Sequence, residues 1–164
     1  MEVFIRQAKE SDIEKIKPYI DEYGLDNEDL DYRQFYIAEI KTDYEQTSVL
    51  NKKSFMTTSN KTIELAGFGR IKQYDKIYEL ATIGVIEIFR KKGIGQKIIE
   101  KLINIAPSKE IWITTLIPEY FEQFGFVEDN NIPDEILLKC QRVCGKMNKT
   151  TQNSRYMCLK KAVF

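Results

Sequence analysis

Arg90-Lys91-Lys92-Gly93-Ile94-Gly95 is the stretch whose residue types and spacing most directly invite chemistry. It follows an apolar run, Tyr78 to Ile88 (YELATIGVIEI), and leads into a segment where Ile94, Ile98, Leu102, Ile105 and Ala106 mark one helix face. Glycine at 93 and 95 lets a strand-to-helix junction turn tightly and approach a ligand with no Cβ in the way. Free N–H groups at a helix start attract an anion, and three adjacent cations add to the pull. A pyrophosphate suits such a place. The spacing is not G-x-x-x-x-G-K-[ST], so no lysine or Mg²⁺-binding hydroxyl is set for a nucleoside triphosphate, and it is not G-x-G-x-x-G, because position 98 is Ile. On the two glycines alone, an ordinary turn with surface lysines is an equal reading.

The rest of the composition narrows the chemistry. The 164 residues contain no histidine, which excludes Ser-His-Asp and Cys-His catalysis, an H-E-x-x-H zinc site and any histidine base. Proton transfer falls to Glu, Asp, Tyr, Lys, Cys or water. Lys+Arg and Asp+Glu are 25 each, so net charge supplies no general attraction to nucleic acid or an anionic membrane, and neither partner is expected. Cys140, Cys144 and Cys158 leave a four-ligand zinc site one ligand short, so no metal is expected. The start, Met-Glu-Val-Phe-Ile-Arg, lacks a signal-peptide pattern, and no apolar run reaches membrane-spanning length. The expected compartment is the reducing cytoplasm, where thiols stay free.

The elements that must position the junction alternate between strand and helix. Val3–Arg6 reads as a strand. Ser11-Asp12-Ile13-Glu14 matches a capping box, followed by Ile13, Ile16, Ile20 and Tyr23 at helical spacing and Gly24 as a stop. Segment 26–34 is acidic and suits a short second helix; Phe35–Ile40 is strand-like. Residues 41–61, rich in Thr, Ser, Asn and Lys, read as a flexible insertion or long hairpin loop, with a substrate-covering flap as the alternative. Ile63–Lys72 is a strand, and Arg70, Lys72 and Tyr74 read as its solvated end rather than as contacts to an acidic ligand. Tyr78–Ile88 is apolar on both parities, as in a central strand covered on both faces. Further strands are expected at Ile111–Leu116, Phe126-Val127 and Tyr156–Lys160, with short helices opened by Pro118 and Pro133. No repeat or linker divides the chain, so one domain over 1–164 is expected.

The junction then gains a family likeness. RKKGIG after a strand ending at Val85 resembles the [Q/R]-x-x-G-x-[G/A] motif of the GNAT superfamily, the Gcn5-related N-acetyltransferases. IRQAKESDIEKI resembles that family's first strand and helix, YELATIGVIEIFRKKGIGQKIIEKLI its coenzyme A strand, loop and helix, and EYFEQFGF the helix ending in Gly-Phe. The resemblance spans about residues 3–127 and implies the α/β (α+β) GNAT fold, a mixed, mostly antiparallel sheet flanked by helices. It also implies acetyl-CoA as co-substrate. Backbone N–H groups at Ile83 to Val85 would hold the pantetheine arm and polarise the thioester carbonyl. Amides from Arg90, Lys91, Lys92, Gly93, Gly95 and Gln96 would hold the pyrophosphate. The implied base is Glu79, six residues before Val85, or water.

The implied acid is less regular. The family's tyrosine position is Phe121 here. Tyr120 precedes it, but neighbours on a helix point about 100° apart, so Tyr120 serves only if the helix is shifted; otherwise water protonates the leaving thiolate. The Tyr120-Phe121 pair and the Ile132-to-Cys140 tail resemble N-acetylglutamate synthase-type members, although Cys140-x-x-x-Cys144 is one residue longer than their C-x-x-C. The implied activity is direct acetyl transfer to a primary amine of a small molecule or amino acid. A non-catalytic acyl-CoA-binding module and a protein or peptide acetyltransferase are the alternatives, and a homodimer is left open.

Overall fold

The computed structural model describes residues 1–51, 54–144 and 157–162. Strand β1 (Glu2–Gln7) leads into helix α1 (Glu10–Glu22), then a one-turn 3₁₀ helix (Tyr32–Gln34). Long strands β2 (Phe35–Asn51) and β3 (Ser54–Tyr74) precede β4 (Ile77–Val85) and helix α2 (Ile94–Ile105). The chain continues through β5 (Glu110–Thr115), α3 (Pro118–Glu122), β6 (Val127–Glu128), α4 (Asp134–Lys139), a π turn (Cys140–Cys144) and β7 (Met157–Ala162). One sheet runs in the order β1-β2-β3-β4-β5-β7-β6. Only β4 and β5 pair parallel; every other neighbour is antiparallel.

Helix α1 begins before the expected capping box. Asp12, not Glu14, closes the turn: its carboxylate accepts the Lys9 N–H at 2.8 Å. Arg6 donates to that carboxylate at 2.8 Å and to Glu39 at 2.7 Å, joining α1, β1 and β2. Burial opposes ionisation of Asp12, yet the Arg6 and Lys9 hydrogen bonds prevail and hold its carboxyl at about 2. A lowered carboxyl stabilises the fold above its unfolded value near 4 and loses that contribution as pH falls toward 2. Asp12→Asn should therefore cost about 1–2 kcal/mol at pH 7, less than the full shift because Arg6 reaches solvent. Urea titrations should show the variant and parent converging between about pH 4 and pH 2.

Two of the expected elements differ. Segment 26–34 forms no α-helix; the Asp31 carboxylate accepts the Arg33 N–H at 3.0 Å and caps the 3₁₀ turn instead. The described residues of the 41–61 tract are paired strand rather than loop, in register from Phe35↔Arg70 to Asn51↔Ser54 with irregularities at Ala38/Glu39 and Val49/Asn51; residues 52 and 53 lie outside the described residues. Its threonines are good strand formers and a two-sided ribbon needs no apolar face. Thr42 and Thr62 face each other with hydroxyls 2.9 Å apart. Strand β1 pairs only as far as Lys41, and β4 only from Gly67 onward, so the ribbon runs on past the sheet.

Two glycines in β3 set how close α2 lies. A Cβ on Gly67 would stand 2.9 Å from Ile98 Cδ1, and one on Gly69 would stand 2.9 Å from Ile98 Cγ2. Helix α2 therefore rests flush on the sheet, burying Ile94, Ile98, Ile99 and Leu102. On the opposite face α1 buries Ile16 and Ile20 against Phe35, Ile37 and Phe68.

Strand β4 ends earlier than its sequence suggests, at Val85, and Glu87–Phe89 forms a 3₁₀ turn. Among the described residues its pairing with β5 comprises Glu79↔Trp112 and Leu80↔Ile113. Beyond them β4 bulges: Arg70 faces Ala81 and Phe68 faces Gly84, so Thr82 and Ile83 together oppose Gly69. The sheet parts between β4 and β5 from that point on.

Candidate active site

The loop after β4 carries two left-handed residues, Lys91 (φ 61°) and Gly93 (φ 74°), on either side of Lys92. The first backbone bond of α2 runs from Lys97 N–H to Gly93 C=O at 3.1 Å. The N–H groups of Ile94, Gly95 and Gln96 consequently have no intrahelical acceptor and face the end of β4. A cavity of about 370 Å³ lies there. A Cβ on Gly95 would stand 3.5 Å from both the Tyr120 hydroxyl and Val85 Cγ2, so the missing side chain keeps that space open.

Seven of the sequence-predicted site residues line this cavity: Val85, Arg90, Lys91, Gly93, Gly95, Gln96 and Tyr120. Phe89 and Ile94 complete the lining and had no chemical signal in the sequence. Ile83, Lys92 and Glu79 lie outside it. The cations divide their labour. Arg90 Nε donates to the Val85 carbonyl at 3.1 Å and its guanidinium covers the Tyr23 ring at 4.9 Å, so it pins the loop to β4. Lys92 lies over the Phe89 ring at 5.4 Å. Lys91 is exposed. The Gln96 side chain turns along the helix to Glu100 at 2.8 Å, leaving its backbone amide for the cavity.

Helix α3 orients its two neighbouring aromatic residues differently. Phe121 is buried and packs edge-on against Phe126, while Tyr120 is 38% exposed with its hydroxyl at the loop. Burial and the charge of Glu100 raise the Tyr120 hydroxyl above its ordinary value, so it is protonated at neutral pH and can donate.

Glu79 is fully buried in β4. Its Oε1 accepts from Lys139 Nζ at 2.6 Å and its Oε2 from the Tyr74 hydroxyl at 2.8 Å. Arg70 and Lys72 belong to the interior of β3, not to a solvated end: both are buried, because Asp26 lies against them. Lys72 Nζ stands 2.8 Å and an Arg70 nitrogen 3.2 Å from Asp26 Oδ2. Burial raises the Asp26 carboxyl, but these two cations outweigh it and leave it below the usual range. Lys139 escaped notice in the sequence because it lies 60 residues from Glu79 with no spacing rule between them. Cys140 Sγ lies 3.8 Å from the Thr114 hydroxyl. Cys158 and Cys144 fall where side chains are outside the described residues. Among the described residues no metal-ligand cluster forms, and no helix is long and apolar enough to cross a membrane.

A strand parting from its parallel neighbour, with a glycine keeping space open beside the first turn of a helix, makes a cradle suited to an anionic ligand. The family model described as "Acetyltransferase (GNAT) family" matches residues 14–126, and the chain belongs to that family. It is 30% identical over 70 residues to the uncharacterized N-acetyltransferase CT2212 of Chlorobaculum tepidum, a match covering 40% of this chain and 45% of that relative. Among solved structures, Rv2747 from Mycobacterium tuberculosis, in complex with CoA and NLQ, superposes with a TM-score of 0.64 at 17% identity. That match covers 98% of this chain and 99% of the other. N-acetylglutamate synthase from Neisseria gonorrhoeae, complexed with coenzyme A and N-acetyl-glutamate, superposes with a TM-score of 0.66 at 18% identity. It aligns over all of this chain and 36% of its own length. These likenesses support the mixed sheet and the fold.

Proposed function

We propose that the chain is one catalytic domain that transfers acetyl from acetyl-CoA to a primary amine of a small molecule or amino acid. The observation that supports this most is the shared cavity of the α2 amides and the Tyr120 hydroxyl, at the end of the strand that carries Glu79. Acetyl-CoA supplies an activated acyl thioester. The α2 N–H groups hold its pyrophosphate, and N–H groups of Ile83 to Val85 hold the arm and polarise the carbonyl. Glu79 takes the amine proton. Each of its oxygens carries one donor and a carboxylate has about four acceptor positions, so it keeps acceptor capacity, but it is fully buried and the amine or a relaying water must open a path to it. Tyr120 returns a proton to the departing sulfur. No residue needs to form an acyl-enzyme. We place the protein in the cytoplasm.

A thiol-release assay with acetyl-CoA over free amines, amino acids and peptides tests this reading. Release with a free amine or amino acid, exceeding that with peptides, is expected, and Tyr120→Phe should slow it about tenfold. Coenzyme binding without release for any amine would instead favour a binding module. Preference for peptides would favour a protein acetyltransferase.

A further inference from the structure

Thr82 is β-branched and sits at φ 53°, a left-handed conformation that such residues rarely adopt. It is the first of the two residues that bulge from β4 against Gly69. Something must over-determine that conformation, and the surroundings show what does. The Thr82 hydroxyl accepts from Arg70 Nε at 3.0 Å and donates to the Asp26 carbonyl at 2.9 Å. Arg70 is fully buried and also donates to the Asp29 carbonyl at 2.9 Å and the Asp26 carbonyl at 3.4 Å. Asp29 is itself left-handed, at φ 48°. Asp26 further accepts the Glu28 N–H at 3.0 Å, and Glu28 pairs with Arg142 of the π turn at 3.1 Å. The connection between α1 and β2 thus holds no regular structure at residues 25–31 and is tied instead to β3 and to the bulge.

We infer that Thr82 is a positioning residue: its hydroxyl, held between Arg70 and Asp26, fixes the β4 bulge and couples the 25–31 segment to the adjacent Ile83 N–H. The inference rests on the acetyl-transfer reading, in which Ile83 holds the thioester. Only a hydroxyl both accepts and donates at this position. Valine keeps the shape, leaves Arg70 Nε and the Asp26 carbonyl without that partner, and releases the bulge. The α2 amides and the cavity lie on other residues and stay as they are.

Thr82→Val should lower kcat about tenfold to hundredfold, the scale of a misplaced reacting group. The acetyl-CoA Kd, by calorimetry, should stay within about twofold, since the phosphate-binding amides are untouched. Thr82→Ser should recover most of the lost kcat, because the hydroxyl is what matters. Arg70→Lys keeps the charge beside Asp26 but removes the fork, and should show the same split between kcat and Kd if Thr82→Val does not fold. Full kcat in a folded Thr82→Val, equal losses in Val and Ser, or a Kd loss matching the kcat loss would each overturn the inference. Hydrogen exchange on the free protein separates this from the acetyl-transfer reading. Thr82→Val, or Arg70→Lys in its place, should accelerate exchange at 25–31 and at Ile83 together. If the parent turns over no amine, that joint acceleration still upholds the coupling, and its absence overturns it.

Discussion

Gly95→Val is expected to weaken acetyl-CoA binding by about 100-fold, some 2.7 kcal/mol, with the fold intact. Gly95 lies in the first turn of α2, where valine is an acceptable helix residue. Its Cβ would enter the cavity 3.5 Å from Tyr120 and Val85, an ordinary contact, but the two further methyls would occupy the space ahead of the free amides. The loss is steric and local. Gly93 works differently. A Cβ there meets nothing within 4 Å, so any cost comes from the left-handed backbone at φ 74°. Gly93→Asn, which tolerates that region, should bind better than Gly93→Val, whereas no asparagine exemption applies at 95. Calorimetry on the three variants checks this, and an unchanged Kd for Gly95→Val would mean the pyrophosphate lies elsewhere.

Glu79→Gln should lower kcat by about 100-fold or more, the usual contribution of a general base, while acetyl-CoA affinity holds. Glutamine preserves shape and can still accept from Tyr74, but it supplies no negative charge to Lys139. Buried Lys139 loses the Glu79 charge, and stability should fall by about 1–3 kcal/mol. Thermal melts must accompany the kinetics so that turnover is compared at equal folded fraction. A folded Glu79→Gln with kcat within about threefold of the parent would hand proton removal to water.

The strand-loop-helix junction was legible because its information is local. An apolar strand, two glycines and a helical repeat occupy contiguous positions from 79 to 106, and local physics ties them together. The buried charge cluster around Asp26 and Glu79 was not legible for the opposite reason. Whether Arg70, Lys72 and Tyr74 meet water depends on Asp26 and Glu79, and Asp26 lies more than forty residues from both cations. The choice between Tyr120 and Phe121 depends on how α3 rotates against Phe126, which no spacing records. The polar tract at 41–61 gave no strand signal because a paired ribbon can form without apolar alternation, from long-range pairing that composition does not record. Thr82 offered no signal at all, since nothing in a run of apolar residues marks where a bulge falls.

The two glycines beneath α2 set the height of the helix start, and with it the shape of the cavity above. A methyl added at Gly67 would be wedged between the Gly84 carbonyl, 2.9 Å away, and Ile98. It would act as a shim that tilts the helix, and on the proposed function that would swing the three leading amides away from the pyrophosphate. On that function the grip on the coenzyme is written partly in the thickness of β3, in glycines outside the lining of the cavity.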